Sequence, residues 1–355
     1  MSWASWAAAE AASIRAAGRW RQVRTYDWDS LVSFASNDYL GLSSHPAVVA
    51  AACEATARWG TGAGASRLVV GSRPVHDELE AELAAWKGTE AALLFPTGYA
   101  ANVGVLATFG AADARVLSDE LNHASIVDGA RLARAQVAVY RHNDLDHLAS
   151  MIGPRSIVVS DSVFSMDGDV ADVDGLVALC DRAGALLVLD EAHDVFGRSV
   201  PPHVLRVGTL SKALGSVGGF VVGPRVFVDL LVNRARPFIF STALPPAVAA
   251  AAGAALRIVR SPEGEALRTR LRTSVERVAP GNPSPIVPVV LGSEEAALAA
   301  SAALLDEGLV VPAIRPPTVP PGTSRLRVAL SAAHTDEQVS RLVAALAPHF
   351  AAVAR

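Results

Sequence analysis

The sequence predicts an α/β protein with a mostly parallel central sheet, followed by a smaller C-terminal α+β region. Three observations carry that expectation. Leu186-Leu187-Val188-Leu189 and Ser156-Ile157-Val158-Val159-Ser160 are short continuous apolar runs, the pattern of strands buried on both faces of a parallel sheet. Val173 to Ala183, between them, has crossover-helix length and apolar residues at helical spacing, so the three segments read as a βαβ unit. Asp190 then emerges at the carboxyl end of its strand, where open α/β sheets bind ligands.

The remaining elements follow in order. Ala4 to Arg24 reads as an N-terminal helix and arm. Pro46 to Trp59 and Val75 to Trp86 carry helical patterns on either side of a glycine-rich loop. Ala91 to Phe95 is apolar, Pro96-Thr97-Gly98 breaks the run, and Tyr99 onward regains helical character. A glycine at a helix start lets backbone N–H groups approach an anion, and the helix dipole favours negative charge there. Beyond Pro245 an Ala-rich helix leads to strands at Ile286 to Leu291 and Leu326 to Leu330 and helices at Glu294 to Glu307 and Asp336 to Ala347. The expected division is an arm over 1–45, a large cofactor-binding domain over 46–237 and a smaller domain over 238–355.

The chemistry concentrates on two places. Lys212 lies in Gly208-Thr209-Leu210-Ser211-Lys212-Ala213-Leu214-Gly215, and upstream of it the buried run ends in Asp190-Glu191-Ala192-His193. A lysine among small residues can form a Schiff base with an aldehyde, and a strand-end carboxylate can hold a heteroaromatic nitrogen protonated. Alone, such a lysine is usually a solvated loop residue. Together the two describe a pyridoxal-phosphate site.

Five motifs in order then resemble the α-oxoamine synthases. They are Phe34-Ala35-Ser36-Asn37-Asp38-Tyr39-Leu40-Gly41-Leu42, Val163 to Asp169, Asp190 to His193, Thr209 to Lys212, and Arg325 to Thr335. The resemblance implies the fold-type-I, aspartate-aminotransferase-like architecture of pyridoxal-phosphate-dependent transferases. It also implies an acyltransferase activity, the decarboxylative condensation of an amino acid with an acyl thioester. Ala313-Ile314-Arg315-Pro316-Pro317-Thr318-Val319-Pro320 and the arm through Arg19 and Arg21 resemble the member that joins L-alanine to a pimeloyl thioester in biotin synthesis. Whether coenzyme A or an acyl carrier protein brings the pimeloyl group stays open. By resemblance, Lys212 is the Schiff-base lysine and the base at Cα, and Asp190 holds the pyridine nitrogen protonated. His193 bonds the ring oxygen and His123 stacks on the ring. Gly98, Tyr99 and Thr209 hold the phosphate or its surroundings, and Ser165 contacts the cofactor. Arg327 takes the α-carboxylate, while Arg21 and Thr318 are candidates for the acyl substrate. The family also implies a homodimer with shared active sites, Asn37 and Ser241-Thr242 approaching the neighbour's site, with Thr242 counted among the cofactor contacts.

Two departures from the family pattern stand out. Asp194-Val195-Phe196-Gly197-Arg198 replaces a glycine-rich continuation, and the loop onward to Gly208 is short. Asp194 is therefore expected to add negative charge near the cofactor's edge.

Composition narrows the function. The 355 residues carry a formal net charge of −4, which argues against a nucleic-acid role. Hydrophobic content of 51% comes largely from alanine, and no run of about 20 uninterrupted apolar residues occurs. No secretory leader is expected at Met1-Ser2-Trp3. Cys53 and Cys180 fit a reducing cytoplasm without disulfides. Gly60 to Ala65 satisfies a dinucleotide-binding pattern formally, but a helical segment precedes it instead of a strand. No metal-binding spacing is present. Three readings remain: the alanine-plus-pimeloyl synthase, a sister enzyme such as glycine C-acetyltransferase, and a catalytically silent protein on the same fold.

Overall fold

The computed structural model describes residues 1–353, with side chains through 349. Its strands are β1 Val32–Ser33, β2 Ala91–Phe95, β3 Arg115–Asp119, β4 Gln136–Tyr140, β5 Ser156–Asp161, β6 Leu186–Asp190, β7 Leu205–Thr209, β8 Gly219–Gly223, β9 Ile286–Gly292, β10 Leu309–Val310, β11 Ala313–Ile314 and β12 Ser324–Ala329. Two compact units divide the chain. The larger takes residues 36–287 and 329–339, and the smaller takes 1–35, 288–328 and 340–355.

The larger unit holds a seven-stranded sheet ordered β2-β8-β7-β6-β5-β3-β4. All neighbouring pairs from β7 to β4 are parallel. Only β8 runs against both of its neighbours. Alternate residues enter two separate cores: Ile157, Val159 and Val188 pack with Phe95 and Val105, while Val158, Leu187 and Leu189 pack with Phe164 and Leu176. Burial on both faces is what makes these strands read as unbroken apolar runs. Each fully buried aliphatic side chain contributes roughly 1.5–3 kcal/mol, and Val188 and Leu189 are both 0% exposed.

The parallel order leaves every strand from β3 to β7 ending on the same edge, and crossover helices return the chain to the opposite one. Helix Gly98–Phe109 links β2 to β3 and helix Val173–Ala183 links β5 to β6. The latter starts on Asp172, whose carboxylate accepts from Gly175 N, and stops at Gly184 with φ +64°. An aspartate N-cap and a left-handed glycine are the expected start and stop. The sheet-based fold class and the βαβ unit read from sequence are both present.

Some boundaries differ. The first helix runs only from Trp3 to Ala16, because Gly18 turns left-handed at φ +67°. The final helix continues to Val353. Helices Pro246–Val259 and Pro262–Val278 lie within the larger unit. The smaller unit contains the parallel pair β1-β10 and the sheet β11-β12-β9.

Candidate active site

The carboxyl-end loops of the larger unit's sheet gather the reactive side chains. Lys212 sits in a tight loop between β7 and β8, closed by Leu210 N donating to Gly218 O and Gly215 N to Lys212 O, each at 2.9 Å. Gly215 has φ +58°, and a Cβ there would strike Ser43 N, so glycine both makes the turn and admits the 42–43 backbone.

Lys212 Nζ lies 2.7 Å from His193 Nε2. The other ring nitrogen of His193 lies 2.6 Å from the Tyr39 hydroxyl, which donates to Asn37 Oδ1 at 3.1 Å. The amide oxygen can only accept, so the Tyr39 proton is committed to it. His193 Nδ1–H therefore donates to Tyr39, leaving the Nε2 lone pair facing Lys212. Tyr39 is 0% exposed and His193 is buried, while Asn37 and Lys212 are partly exposed.

The Asn37 segment folds back onto its own unit. Ser331 Oγ donates to Asp38 O at 2.6 Å, and Ala332 N to Tyr39 O at 2.8 Å. Asn37 was expected at a neighbouring subunit's site; here it reaches the Tyr39–His193–Lys212 chain of its own.

Asp190, at the end of β6, is buried. Its Oδ1 accepts from Ala192 N at 2.9 Å and its Oδ2 from Asn102 Nδ2 at 2.6 Å. No lysine or arginine forms an ion pair with it among the described residues. A buried carboxylate is costly without a compensating positive charge.

His123 caps helix Ala124–Leu132, its Nδ1 accepting from Ser125 N at 3.2 Å. Its backbone N–H donates to Asp161 Oδ2 at 3.0 Å. Burial of the imidazole lowers the His123 pKa, opposed by the Asp190 charge and reinforced by Lys212. The shift favours the neutral imidazole. Burial, with the Asp190 charge adding to it, pushes Asp161 well above the usual carboxylate range.

The residues expected to hold a phosphate lie on the β2 side. Thr97 caps helix Gly98–Phe109 by accepting from Ala100 N, leaving the Gly98 and Tyr99 backbone groups at the first turn. A Cβ on Gly98 would meet Thr209 Cβ at 3.4 Å, and Thr209 Oγ1 contacts Ser211 Oγ at 2.7 Å. Antiparallel β8 makes this approach possible: a Cβ on Gly219 would strike Thr97 O and Gly98 N. Tyr99 directs its hydroxyl to Asp128 Oδ2 at 2.5 Å. Ser165 lies in the β5 hairpin closed by Gly168 N to Phe164 O at 2.8 Å, and Thr242 bridges to Ser66.

Of the residues expected to touch substrate, Arg21, Thr318 and Arg327 lie in the smaller unit, and Asn37 and His123 in the larger. Arg21 Nη2 donates to Thr318 Oγ1 at 3.4 Å, beside a cleft of about 670 Å³ that Ile14, Trp20 and Pro317 also line. Arg327 is buried on β12, its N–H donating to Pro312 O at 3.0 Å. Asp194 is half-buried and raised in pKa by burial first and Glu191 second, with Lys87 and Arg198 opposing. The charges acting on it are thus those of Arg198 and of the Lys87–Glu191 ion pair, at 2.6 Å.

Residues 29–346 match the aminotransferase class I and II family. The chain belongs to that family. Among curated members of the aminotransferase class I and II family, it is 52% identical over 346 residues to the 8-amino-7-oxononanoate synthase of Anaeromyxobacter dehalogenans, covering 90% of this chain and 86% of that one. A solved serine palmitoyltransferase from S. paucimobilis, with a pyridoxal-phosphate–myriocin aldimine bound, superposes with a TM-score of 0.87 at 30% identity, covering 98% of this chain and 97% of that one. An 8-amino-7-oxononanoate synthase from Francisella tularensis shares the fold with a TM-score of 0.76 at 24% identity, over 92% of this chain and 100% of that one. The member of the family that the sequence motifs pointed to is the one the curated relative carries by name.

Sequence reasoning found Lys212, Asp190, His193 and His123 but not Asn102 or Asp161, and it left Tyr39 without a role. An amide in the otherwise apolar run Ala100-Ala101-Asn102-Val103-Gly104-Val105 was the available signal for Asn102, since a buried amide needs partners.

Proposed function

We propose that this chain is a pyridoxal-phosphate-dependent acyltransferase that condenses L-alanine with a pimeloyl thioester, giving 8-amino-7-oxononanoate, carbon dioxide and a free thiol. The observation that carries this reading is the buried Asp190 carboxylate, satisfied by two N–H donors and by no cationic side chain. A protonated pyridine nitrogen supplies the missing positive charge. Asp190 would hold that proton, Gly98, Tyr99 and Thr209 would hold the phosphate, and Lys212 would anchor the cofactor. Ser165 and Thr242 belong to the same proposed contact set. The bound cofactor supplies an electron sink for the pair of electrons left at the amino-acid Cα.

The protein's own groups manage the protons. Lys212 Nζ takes the Cα proton and returns it after carbon dioxide has left. The His193 lone pair, 2.7 Å away, accepts a hydrogen bond from the ammonium form, and Tyr39 keeps that ring from turning. His123 remains neutral and caps one face. Arg327 is the proposed partner of the alanine carboxylate, since a guanidinium fork matches a carboxylate in two bonds.

For the acyl substrate, the cleft at Arg21 and Thr318 has an apolar wall in Ile14 and Trp20 with a cation at its edge. Two nearby arginines are already engaged by one carboxylate: Glu294 lies 3.5 Å from Arg19 and 3.6 Å from Arg315. Arg21 has no such partner among the described residues, which suits an acyl chain ending in a negative charge. The proposed assembly is a homodimer. No helix among the described residues is long and apolar enough to cross a membrane, in keeping with the proposed cytoplasmic setting.

A panel of amino acids against pimeloyl, acetyl and palmitoyl thioesters, each on coenzyme A and on acyl carrier protein, tests this by thiol release. Preference for alanine with pimeloyl supports the proposal. Preference for glycine with acetyl, or serine with palmitoyl, replaces it, and no release with any pair ends it.

A further inference from the structure

We infer that Asn102 is a positioning residue, one that fixes both the Asp190 carboxylate and the tautomer of His123. This rests on the proposed cofactor site, and it concerns a buried amide on the helix Gly98–Phe109. Asn102 is 1% exposed. Its Nδ2 donates to Asp190 Oδ2 at 2.6 Å and to Ser125 Oγ at 2.9 Å, so both amide hydrogens are used. The carboxylate accepts only, which fixes the amide's orientation.

The consequences propagate by donor counting. Ser125 Oγ receives a hydrogen from Asn102, so its own hydrogen is free for His123 Nδ1, 2.7 Å away. That nitrogen also accepts from Ser125 N at 3.2 Å, so it carries no proton. The neutral imidazole must then be protonated on Nε2. One amide thus sets the acceptor geometry at Asp190 and the protonation pattern at His123.

A second observation separates this from routine core satisfaction. Asn102 Oδ1 is buried and has no hydrogen-bond partner among the described residues, a desolvation cost that an apolar residue of similar shape would avoid. Retaining it suits a residue whose donors are required. Its placement has a use as well. Asn102 follows Gly98 by one helical turn on the same helix, and residues four apart share a face. The element offering the phosphate seat therefore also grips the carboxylate meant for the ring nitrogen, so both ends of the cofactor are set by one rigid body.

The test uses Asn102→Leu and Asn102→Asp in the full-length protein. The first keeps the volume and removes the donors. We expect imidazole NMR of the cofactor-free wild type to show His123 as a single Nε2–H tautomer, and the leucine variant to show a mixture. We expect its cofactor retention to fall about 10-fold or more, from losing a hydrogen bond to a charged group. The aspartate variant sets a second carboxylate against Asp190, so its retention should weaken as pH rises through neutrality, when the pair can no longer share a proton. A purely structural role would give no such pH dependence. If the leucine variant does not fold, the pH profile of the aspartate variant decides alone. An unchanged His123 tautomer with unchanged retention in the leucine variant, or a flat profile in the aspartate variant, overturns the inference. A wild type that binds no pyridoxal phosphate overturns instead the functional reading beneath it.

Discussion

Two histidine–carboxylate clusters stand at the carboxyl ends of strands in one parallel sheet, and they are completed in different ways. His142 lies between Asp119 Oδ1 at 2.9 Å and Asp169 Oδ2 at 2.7 Å. Hydrogen bonds to Asp119 and then Asp169 raise its pKa to about 10. That cluster supplies its own cation. At the other cluster Asp190 has only amide donors, and His123 is pushed toward neutrality by burial. Among the described residues no lysine or arginine forms an ion pair with that carboxylate. The difference teaches where to look for function in such a sheet: a buried anion the protein does not neutralise is a binding site, and one it does neutralise is a fastening.

Each prediction tests that contrast, beginning with the largest effect. Lys212→Ala should remove the borohydride-trapped cofactor label entirely and lower turnover by at least about 10²–10⁴-fold, the range for a lost proton-transfer group. A persisting label on another lysine would show that the open cluster is centred elsewhere. Asp190→Asn should keep the fold and some cofactor while suppressing exchange of the alanine α-hydrogen with solvent deuterium, since a neutral amide cannot hold the pyridinium charge. Exchange near the wild-type rate would mean that the Asp190 charge is not needed for that step.

The fastened cluster should respond in stability and not in chemistry. His142→Gln should cost about 2–3 kcal/mol in urea unfolding at pH 6, because Asp119 stays buried and loses a charged donor. The pH dependence follows from the direction of the shift. The folded pKa, about 10, lies above the ordinary 6.5, so the contribution is complete below 6.5 and is lost as pH rises toward and through 10. The gap between wild type and His142→Gln should therefore close over that window. A gap independent of pH would assign the loss to packing against Phe164, whose ring lies 4.4 Å from the His142 ring in an edge-on arrangement.

The smallest effect concerns the subunit that owns each site. Because Asn37 joins Tyr39 and His193 of its own chain, mixing inactive Lys212→Ala subunits with an inactive Asn37→Ala variant should restore little activity even when subunit exchange is confirmed. One site of the hybrid then carries each defect. Recovery of a substantial share would place Asn37 in the partner's site, as the sequence alone suggested.

What the sequence made legible, and what it did not, follows from distance along the chain. The βαβ unit could be read because Ile157, Val188 and their neighbours are buried on both faces, and helix Val173–Ala183 because its caps are local. Lys212, Asp190 and His193 sit in short contiguous motifs. By contrast, β3, β4, β7 and β8 are five-residue strands diluted with polar residues or glycine, and the reversal of β8 has no local signature. Asn102 meets Asp190 across 88 positions and Tyr39 meets His193 across 154. Such pairings are decided by topology. The surroundings of Asn37 were illegible for the same reason, since the hydrogen bonds from Ser331 and Ala332 to the neighbouring Asp38 and Tyr39 come from residues far along the sequence.

That last contact bears on how the protein is made. The segment carrying Asn37 and Tyr39 leaves the ribosome early, Lys212 much later, and the Ser331–Ala332 strip that seats Asp38 and Tyr39 later still. Contacts so far apart are closed only after a large loop entropy has been met. A nascent chain halted after β8 would possess Lys212, Asp190, His193 and His123 yet lack the strip that turns Tyr39 toward the imidazole. Competence therefore waits until the residues around Ser331 and Ala332 have been made, well after Lys212, and a reactive lysine is not given its finished surroundings until then.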